Sequence, residues 1–355
     1  MLLLNLLEAK MALLTATSLK NVAKGGLIAE DVMNKIWDIS NIPLPFQDLI
    51  GVGEAAKSSY KEWTTDTLSA PNLNNAVVDG YDATGNDTVL GQRVGNHCQT
   101  SVKNVQISTR ADQVKKFGRA SELAYQLERR QIDLRRDQEG ILLSNQASVA
   151  DTGVVAGKLG TLASWIVTNH FAAGAGATAG GFNAGTGLTV ARTPGTKGAL
   201  SEATLRSAIQ SIYEQGGDVR TLMTVPSIIA KISSYLFSST AKVAQVRNNI
   251  TDASEAATVL AAVNVYVSDF GTITMVPNRM QQTHLDSAAA ACADVFLLDP
   301  KYITLSYLRG HQVETMAKTG LSEKRLMSCD WTFMCFNEKS QGMIGDVDTA
   351  AAMVA

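Results

Sequence analysis

The longest regular pattern of apolar and polar positions lies in residues 113–148. Apolar residues recur there at helical spacing, and charged residues fill the opposite face. The pattern predicts one helix over residues 121–147, a length that would span about 40 Å. The apolar stripe of this helix consists of Phe117, Ala120, Ala124, Leu127, Leu134 and Ile141.

The charged face of this helix mixes both signs. The spacing predicts that Arg129 pairs with Asp133 and Arg135 with Glu139, each pair being worth about 0.2–0.5 kcal/mol. Two interpretations stay open. The face is either solvated, or it meets complementary charges on a neighbouring subunit and sets the register between them. Its members are Glu122, Glu128, Arg129, Arg130, Asp133, Arg135, Arg136, Asp137 and Glu139.

Residues 58–110 predict two strands around a long polar segment. We expect two segments with strand-like sequences to pair: SSYKEWTTDTL (58–68) and SVKNVQISTR (101–110). Residues 69–101 between them are rich in Asn, Asp and Gly, which favour turns. Segments beyond about 15 residues without secondary structure are uncommon in compact domains. The segment is either a flexible surface insertion or a two-stranded finger. An isolated hairpin has only marginal stability in water. A finger of this kind would therefore be stabilised by lying across another subunit.

Residues 1–50 predict an arm. An amphipathic stretch over residues 27–40 ends before Pro43 and Pro45, and so short a helix needs a surface to dock on. The first residues, MLLLNLLEAKM, have no basic segment and too short an apolar run for a signal peptide or a membrane span. We therefore expect synthesis inside the cell, with Met1 or Met11 as the start.

Residues 150–200 contain a glycine-rich stretch. Gly174-x-Gly176-x-x-Ala179 loosely matches a dinucleotide fingerprint, but residues 180–198 after it show no helical pattern, and the next acidic residue is Glu202. We interpret the stretch as a loop or linker.

Residues 201–311 predict an α/β unit. Ser201 is expected to cap a helix that ends at Gly216-Gly217; a strand at residues 221–225 and a helix from Pro226 to Tyr235 follow. VNVYVSDF, GTITMVP, DVFLLD and TLSYLR predict further strands. In the last segment, VETMAKTG and LMSCDWTFMCFN predict a hairpin that packs on the long helix.

Composition narrows the class of protein. Hydrophobic residues make up 45% of the chain and charged residues only 18%, which favours a globular protein with much of its surface covered by partners. The net charge of −2 lacks the excess of positive charge with which proteins bind the DNA backbone.

Candidate catalytic chemistry is sparse. Cys98, Cys292, Cys329 and Cys335 form no CxxC, and they are expected to be buried, reduced thiols. The four histidines have no partners at ligand spacing, and Asp346-x-Asp348 is expected to be a solvated turn more than a cation contact. GxSxG and HExxH are absent from the sequence. We expect no enzyme activity, no metal and no cofactor.

Several segments resemble the major head proteins of tailed bacteriophages over roughly residues 30–350. The most specific are Asp299-Pro300, Lys318-Thr319-Gly320, Glu323-Lys324-Arg325 and Asn337-Glu338-Lys339. The wider matches are WTTDTLxxP from Trp63, RRDQEGILLSNQ, TLMTVPSIIAKIS, ITMVPNRM, DVFLLDPKYITLSYLR, AKTGLSEKR and NEKSQGMIGD.

The resemblance implies an α+β fold, the tailed-phage (Hong Kong-type) major capsid fold. Its parts would be an N-terminal arm (1–50), an extended β-hairpin loop (51–112), a peripheral domain with a long spine helix (113–150 and 312–355) and an axial domain (151–311). It implies a non-enzymatic subunit that forms hexamers and pentamers of an icosahedral shell around double-stranded DNA. The protein would reside in the virion, after assembly in the host cytoplasm.

The resemblance also implies contacts and partners. Because only about fifty residues precede the finger, scaffolding is expected from a separate protein; a portal and decoration proteins are further expected partners, and no membrane is. A cellular shell protein of the same fold that encloses an enzyme, and a nucleotide-dependent enzyme using the Gly174 region, are the alternatives. The expected inter-subunit residues are Trp63, Asp66, Arg110, Glu128, Arg129, Arg130, Arg135, Arg136, Glu323, Lys324 and Arg325.

Overall fold

A computed structural model describes residues 43–82, 85, 90–116, 118–238 and 265–354. Most of the expected arm, including the amphipathic stretch over residues 27–40, lies outside the described residues, as does Phe117. No helix in the described ranges is long and apolar enough to cross a membrane.

The described ranges contain six α-helices and fourteen strands, which bear out an α+β fold. The helices are α1 (Pro45–Ile50), α2 (Thr109–Gln113), α3 (Glu122–Leu142), α4 (Leu162–Trp165), α5 (Glu202–Glu214) and α6 (Pro226–Ser238). The strands are β1 (Tyr60–Thr65), β2 (Gln92–His97), β3 (Gln99–Ser108), β4 (His170–Ala172), β5 (Gly181–Asn183), β6 (Leu188–Val190), β7 (Thr221–Thr224), β8 (Val265–Ser268), β9 (Gly271–Pro277), β10 (His284–Leu285), β11 (Ala291–Leu298), β12 (Ile303–Thr315), β13 (Ser322–Cys335) and β14 (Gly342–Val347).

The long helix α3 is confirmed, but it is shorter than predicted. Ser121 caps it by accepting a hydrogen bond from the Ala124 N–H. It ends at Leu142, where side-chain hydrogen bonds replace the helical pattern. Ser144 Oγ donates to the Ile141 carbonyl, and the Thr161 hydroxyl donates to the Ser144 carbonyl. Such side-chain bonds compete with the helical ladder.

The predicted C-terminal hairpin is also confirmed. Strand β13 pairs on one side with β12, which starts already at Ile303, and on the other side with β3. The TLSYLR segment therefore belongs to this three-stranded sheet and not to the α/β unit, because β12 continues through two register shifts as one strand. Helix α3 packs on the sheet, and Trp331 and Phe333 are fully buried in the shared core.

The predicted pairing of residues 58–68 with 101–110 is wrong. Strand β1 pairs with β2, from Tyr60 opposite His97 to Thr65 opposite Gln92. Residues 101–108 lie in β3 and pair with β13, where Val105 is buried. Only Cys98 separates β2 from β3, so the returning chain leaves the finger and enters the sheet almost at once.

The second sheet has the order β4-β14-β11-β7-β9-β8, with β10 added on β11. Helices α5 and α6 cover it through Leu205, Ile209, Ile212, Ile228 and Ile232. The predicted cap at Ser201, the strand after Arg220 and the helix start at Pro226 are confirmed. Strand β14 joins this sheet although it comes from the C-terminal segment, and β12 runs through the expected boundary at 311/312.

The glycine-rich stretch lacks the strand-loop-helix context of a nucleotide site. Strand β4 precedes the motif at Gly174, but the short hairpin β5–β6 follows the motif where a nucleotide site would have a helix. A Cβ on Gly174 would lie 1.9 Å from the Thr196 carbonyl oxygen, so this glycine permits the close approach of two chain segments.

The core position of Leu134 gives a first prediction. Leu134 is buried under the three-stranded sheet, so Leu134→Ala should lower the free energy of unfolding by about 2–5 kcal/mol through lost burial and a cavity. Chemical denaturation followed by circular dichroism measures this. Leu321→Ala, at an exposed position, is the control and should change it by less than about 0.5 kcal/mol. Equal effects would place the core elsewhere.

Candidate assembly surfaces and the junction beneath them

The finger, residues 66–91, exposes large apolar side chains. Leu68 is 100% exposed, Leu73 94% and Leu90 95%. Single exposed apolar residues are normal, but several on one projecting segment mark an interaction site. Val77, Val78 and Tyr81 extend the set.

The base of the finger is fixed to the rest of the subunit. Trp63 Nε1 donates to the Cys335 carbonyl at 3.1 Å, and the Trp63 ring lies 5.4 Å from that of Trp165. Buried Asn96 donates to the carbonyls of Gly160 and Phe333 and accepts from the Gly160 N–H at 2.7 Å. Trp63, expected at an inter-subunit contact, is thus held within its own subunit. Asp66 is exposed and caps the Thr67 N–H.

The spine helix α3 keeps most of its predicted charges in solvent. Glu128, Arg129, Arg130 and Arg135 are exposed, and Arg136 is partly buried. The predicted pair Arg129–Asp133 is wrong: Asp133 is bound by Arg130 at 2.8 Å and approached by Arg136 at 3.6 Å, while Arg129 Nη1 donates to the Tyr125 hydroxyl.

Glu139 is the largest departure from the predicted charged face. It is fully buried and does not pair with Arg135. Its carboxylate accepts hydrogen bonds from the N–H groups of Phe46 (2.8 Å) and Gln47 (3.0 Å), and from Asn278 Nδ2 (2.7 Å). Burial raises the pKa of Glu139, against the opposing effect of these hydrogen bonds. One side chain therefore ties the segment 44–50 and the end of β9 to the spine helix.

Glu323, Lys324 and Arg325 lie at the start of β13 and not in the turn. Glu323 is bound by Lys318 at 2.9 Å and approached by Arg325 at 3.7 Å, and Lys324 Nζ donates to Thr319 Oγ1. These bonds connect the two sides of the β12–β13 tip. Exposed Arg110 lies on α2, which borders a small cavity that Glu323 also lines.

Asp346 is buried, so the expectation of a solvated turn is wrong. Arg192 Nη1 lies 3.1 Å from both oxygens of Asp346, and its Nη2 lies 2.7 Å from Asp294 Oδ1. Burial alone would raise the pKa of Asp346, but hydrogen bonds from His284 and the Gly195 N–H, together with the Arg192 charge, hold it below its ordinary value. The sequence pattern gave no sign of this cluster, because its members are scattered over more than 150 residues.

The cysteines are free thiols, three of them buried. Burial raises the pKa of Cys98 and of Cys329 to about 11. Thiols with such values carry little thiolate at neutral pH, so their ordinary reactivity is low.

Solved structures similar to this chain share one architecture. The chain aligns with the capsid of a native GTA particle (TM-score 0.56, 13% identity, 95% of this chain and 100% of that one). It also aligns with the capsid of cyanophage P-SCSP1u (TM-score 0.54, 13% identity, 95% and 99%). A third match is the SrpI encapsulin complex of Synechococcus elongatus PCC 7942 (TM-score 0.54, 11% identity, 94% and 97%). The fold is thus that of shell-forming capsid proteins, as the resemblance implied.

The sequence places the chain more narrowly. Residues 12–348 match the family model of the SU10 major capsid protein, and the chain belongs to this family. The major capsid protein of Escherichia phage Phieco32 is 35% identical over 114 residues, a match that covers 32% of each chain. The aligned region thus spans about a third of that relative's length.

The Glu139 junction gives a second prediction. Glu139→Ala leaves the two N–H groups and the Asn278 amide without their acceptor, and each unsatisfied buried group costs about 1–3 kcal/mol. We expect a lower free energy of unfolding and faster hydrogen exchange at Phe46 and Gln47. Glu128→Ala, at an exposed site on the same helix, is the control. Unchanged exchange at Phe46 and Gln47 would show that the junction does not hold the arm.

Proposed function

We propose that this chain is the structural subunit of an icosahedral phage head, assembling as hexamers and pentamers into the shell that encloses double-stranded DNA. The observation that carries the proposal is the finger: its base is fixed to the subunit, and its large apolar residues lie exposed among the described parts of the chain. Membership of a major capsid protein family supports it.

The same subunit offers a surface for a neighbour's finger. Two strands of the three-stranded sheet and its tip carry exposed apolar residues: Val102 on β3, Leu308 and Val313 on β12, and Met316 and Leu321 in the turn between β12 and β13. Burying apolar surface on both partners is the general driving force for association. We propose that each finger lies across the three-stranded sheet of an adjacent subunit.

The exposed charges would then set the register of neighbouring subunits. Glu128, Arg129, Arg130 and Arg135 project from the spine helix with mixed signs, as electrostatic complementarity requires. Asp66 and Arg110 are exposed as well and remain proposed contacts. Trp63, Glu323, Lys324 and Arg325 are proposed to position the finger and the hairpin tip that make contact.

The domain division is best drawn along the sheets. We propose that the peripheral domain comprises β3, α3, β12 and β13, and that the axial domain comprises the larger sheet with α5 and α6, including β14. A separate scaffolding protein, a portal, decoration proteins and assembly in the host cytoplasm remain proposals. A cellular shell that encloses an enzyme is the second candidate, because the SrpI encapsulin shares the fold; nucleic acid in isolated particles would decide against it.

Shortening the finger tests the proposal. Replacing residues 67–90 by a short Gly-Ser link keeps β1 and β2 and should leave the melting temperature nearly unchanged, while shells no longer form. Negative-stain microscopy and sedimentation velocity measure assembly. The triple variant Leu68→Ser, Leu73→Ser, Leu90→Ser should act similarly, whereas Val154→Ser, exposed outside the finger, should not. If the shortened chain still forms normal shells, the finger is only a surface insertion and the proposal is wrong.

Charge reversal on the spine helix gives a further prediction. Arg135→Glu should weaken assembly strongly and subunit stability by less than about 0.5 kcal/mol, because the side chain is exposed. The defect should change with ionic strength, since salt screens exposed charges. Lys57→Glu, another exposed cation, is the matched control. Equal losses in assembly and melting would indicate a role within the subunit.

A further inference from the structure

His284, Cys292 and Asp346 bring three different donor atoms together beneath the surface. His284 on β10 and Cys292 on β11 are directly opposite in the antiparallel register, and Asp346 lies on the neighbouring strand β14. His284 Nε2 lies 3.2 Å from Cys292 Sγ and 3.0 Å from Asp346 Oδ1, and Sγ lies 3.9 Å from Oδ1. Within the described residues these three side chains bring their donor atoms close enough together to share one metal ion.

These distances suit a tetrahedral zinc ion. Zinc bonds of about 2.3 Å to sulfur and about 2.0–2.2 Å to nitrogen and oxygen place neighbouring donors about 3.3–3.6 Å apart at tetrahedral angles. The three observed separations lie on both sides of that range, so shifts of a few tenths of an ångström let one ion touch all three donors. Thiolate and imidazole are ligands that favour zinc over magnesium or calcium.

The charge of the cluster also favours a cation. Arg192 faces the carboxylates of Asp294 and Asp346, so one guanidinium meets two carboxylates and one negative charge of this group stays uncompensated. Asp286 adds a further negative field at Cys292. A divalent ion together with the Cys292 thiolate adds one net positive charge, which neutralises the Arg192, Asp294 and Asp346 group. Uncompensated buried charge is costly, so neutralisation is favourable.

Arg192 competes with a bound ion for the donor atoms of His284 and Asp346. Its Nη2 lies 2.8 Å from His284 Nε2, while Asp346 Oδ1 lies 3.0 Å from the same nitrogen. Nε2 cannot accept from the guanidinium and donate to the carboxylate at once, so one of these contacts is always poor. A bound ion takes the Nε2 lone pair, while Arg192 keeps Asp294 and the second oxygen of Asp346. Arg192 then supports the ligands from outside the coordination sphere.

We propose that His284, Cys292 and Asp346 bind one zinc ion, which staples the β10–β11 hairpin to β14. The His284 side chain is 26% exposed and gives the ion access from solvent. The fourth position would be taken by water or by Asp294 Oδ1, 3.7 Å from Nε2. This proposal concerns the stability of the larger sheet, which contains β10, β11 and β14, and it does not rest on the proposed shell function.

Cobalt substitution tests the site directly. The untagged chain, stripped with a chelator, is titrated with Co²⁺ and read by the thiolate-to-cobalt charge-transfer band in the near ultraviolet. We expect saturation at one equivalent, displacement by Zn²⁺, and a higher melting temperature with Zn²⁺. Cys292→Ser should abolish the band, and His284→Gln should weaken Co²⁺ binding about 10-fold or more.

The controls separate this site from other thiols. Cys98→Ser and Cys335→Ser, outside the cluster, should keep the band. If Cys292→Ser does not fold by circular dichroism, the partly exposed His284→Gln variant and the zinc-dependent melting shift still decide. A chain without the band at ten equivalents, or a band that persists in folded Cys292→Ser, would overturn the proposal and leave Arg192 as the sole cation of the cluster.

Discussion

The buried carboxylate of Glu139 joins three parts of the subunit through polar contacts. It accepts hydrogen bonds from the segment at Phe46 and Gln47 and from Asn278 at the end of β9, while its own helix packs on the three-stranded sheet. A buried acceptor of this kind constrains geometry more than it adds net stability, because its burial costs offset much of the bonding. The position of the spine helix relative to the larger sheet depends on this constraint.

From that junction the subunit extends in two directions. The three-stranded sheet carries the finger base through β13, whose Cys335 carbonyl accepts from Trp63. In the larger sheet, Arg192 binds carboxylates on the adjacent strands β14 and β11. The described residues leave the finger exposed, and on the proposed function a second copy of the chain buries it.

The sequence predicted the regular elements well where the pattern was local. The long helix from residue 121, the cap at Ser201, the helix after Val225 and the C-terminal hairpin depend on neighbouring residues, and the structure confirms them. Pairing was harder to predict. Residues 101–108 could have paired with 58–68, but β13 offers a longer partner and a helix-backed core for Val105. Glu139 and Arg192 were missed because their partners lie about 90 to 150 residues away in the chain. The family resemblance supplied what local pattern could not, the arrangement of these parts as a capsid fold.

The placement of the finger in an assembled particle tests the central claim most directly. Cryo-electron microscopy of shells formed by the purified chain, with scaffold supplied if required, should show residues 66–91 as continuous density across the three-stranded sheet of an adjacent subunit. Leu68, Leu73 and Leu90 should be buried in that contact. Density that folds the finger back onto its own subunit, or a chain that stays monomeric under every assembly condition, would contradict the account.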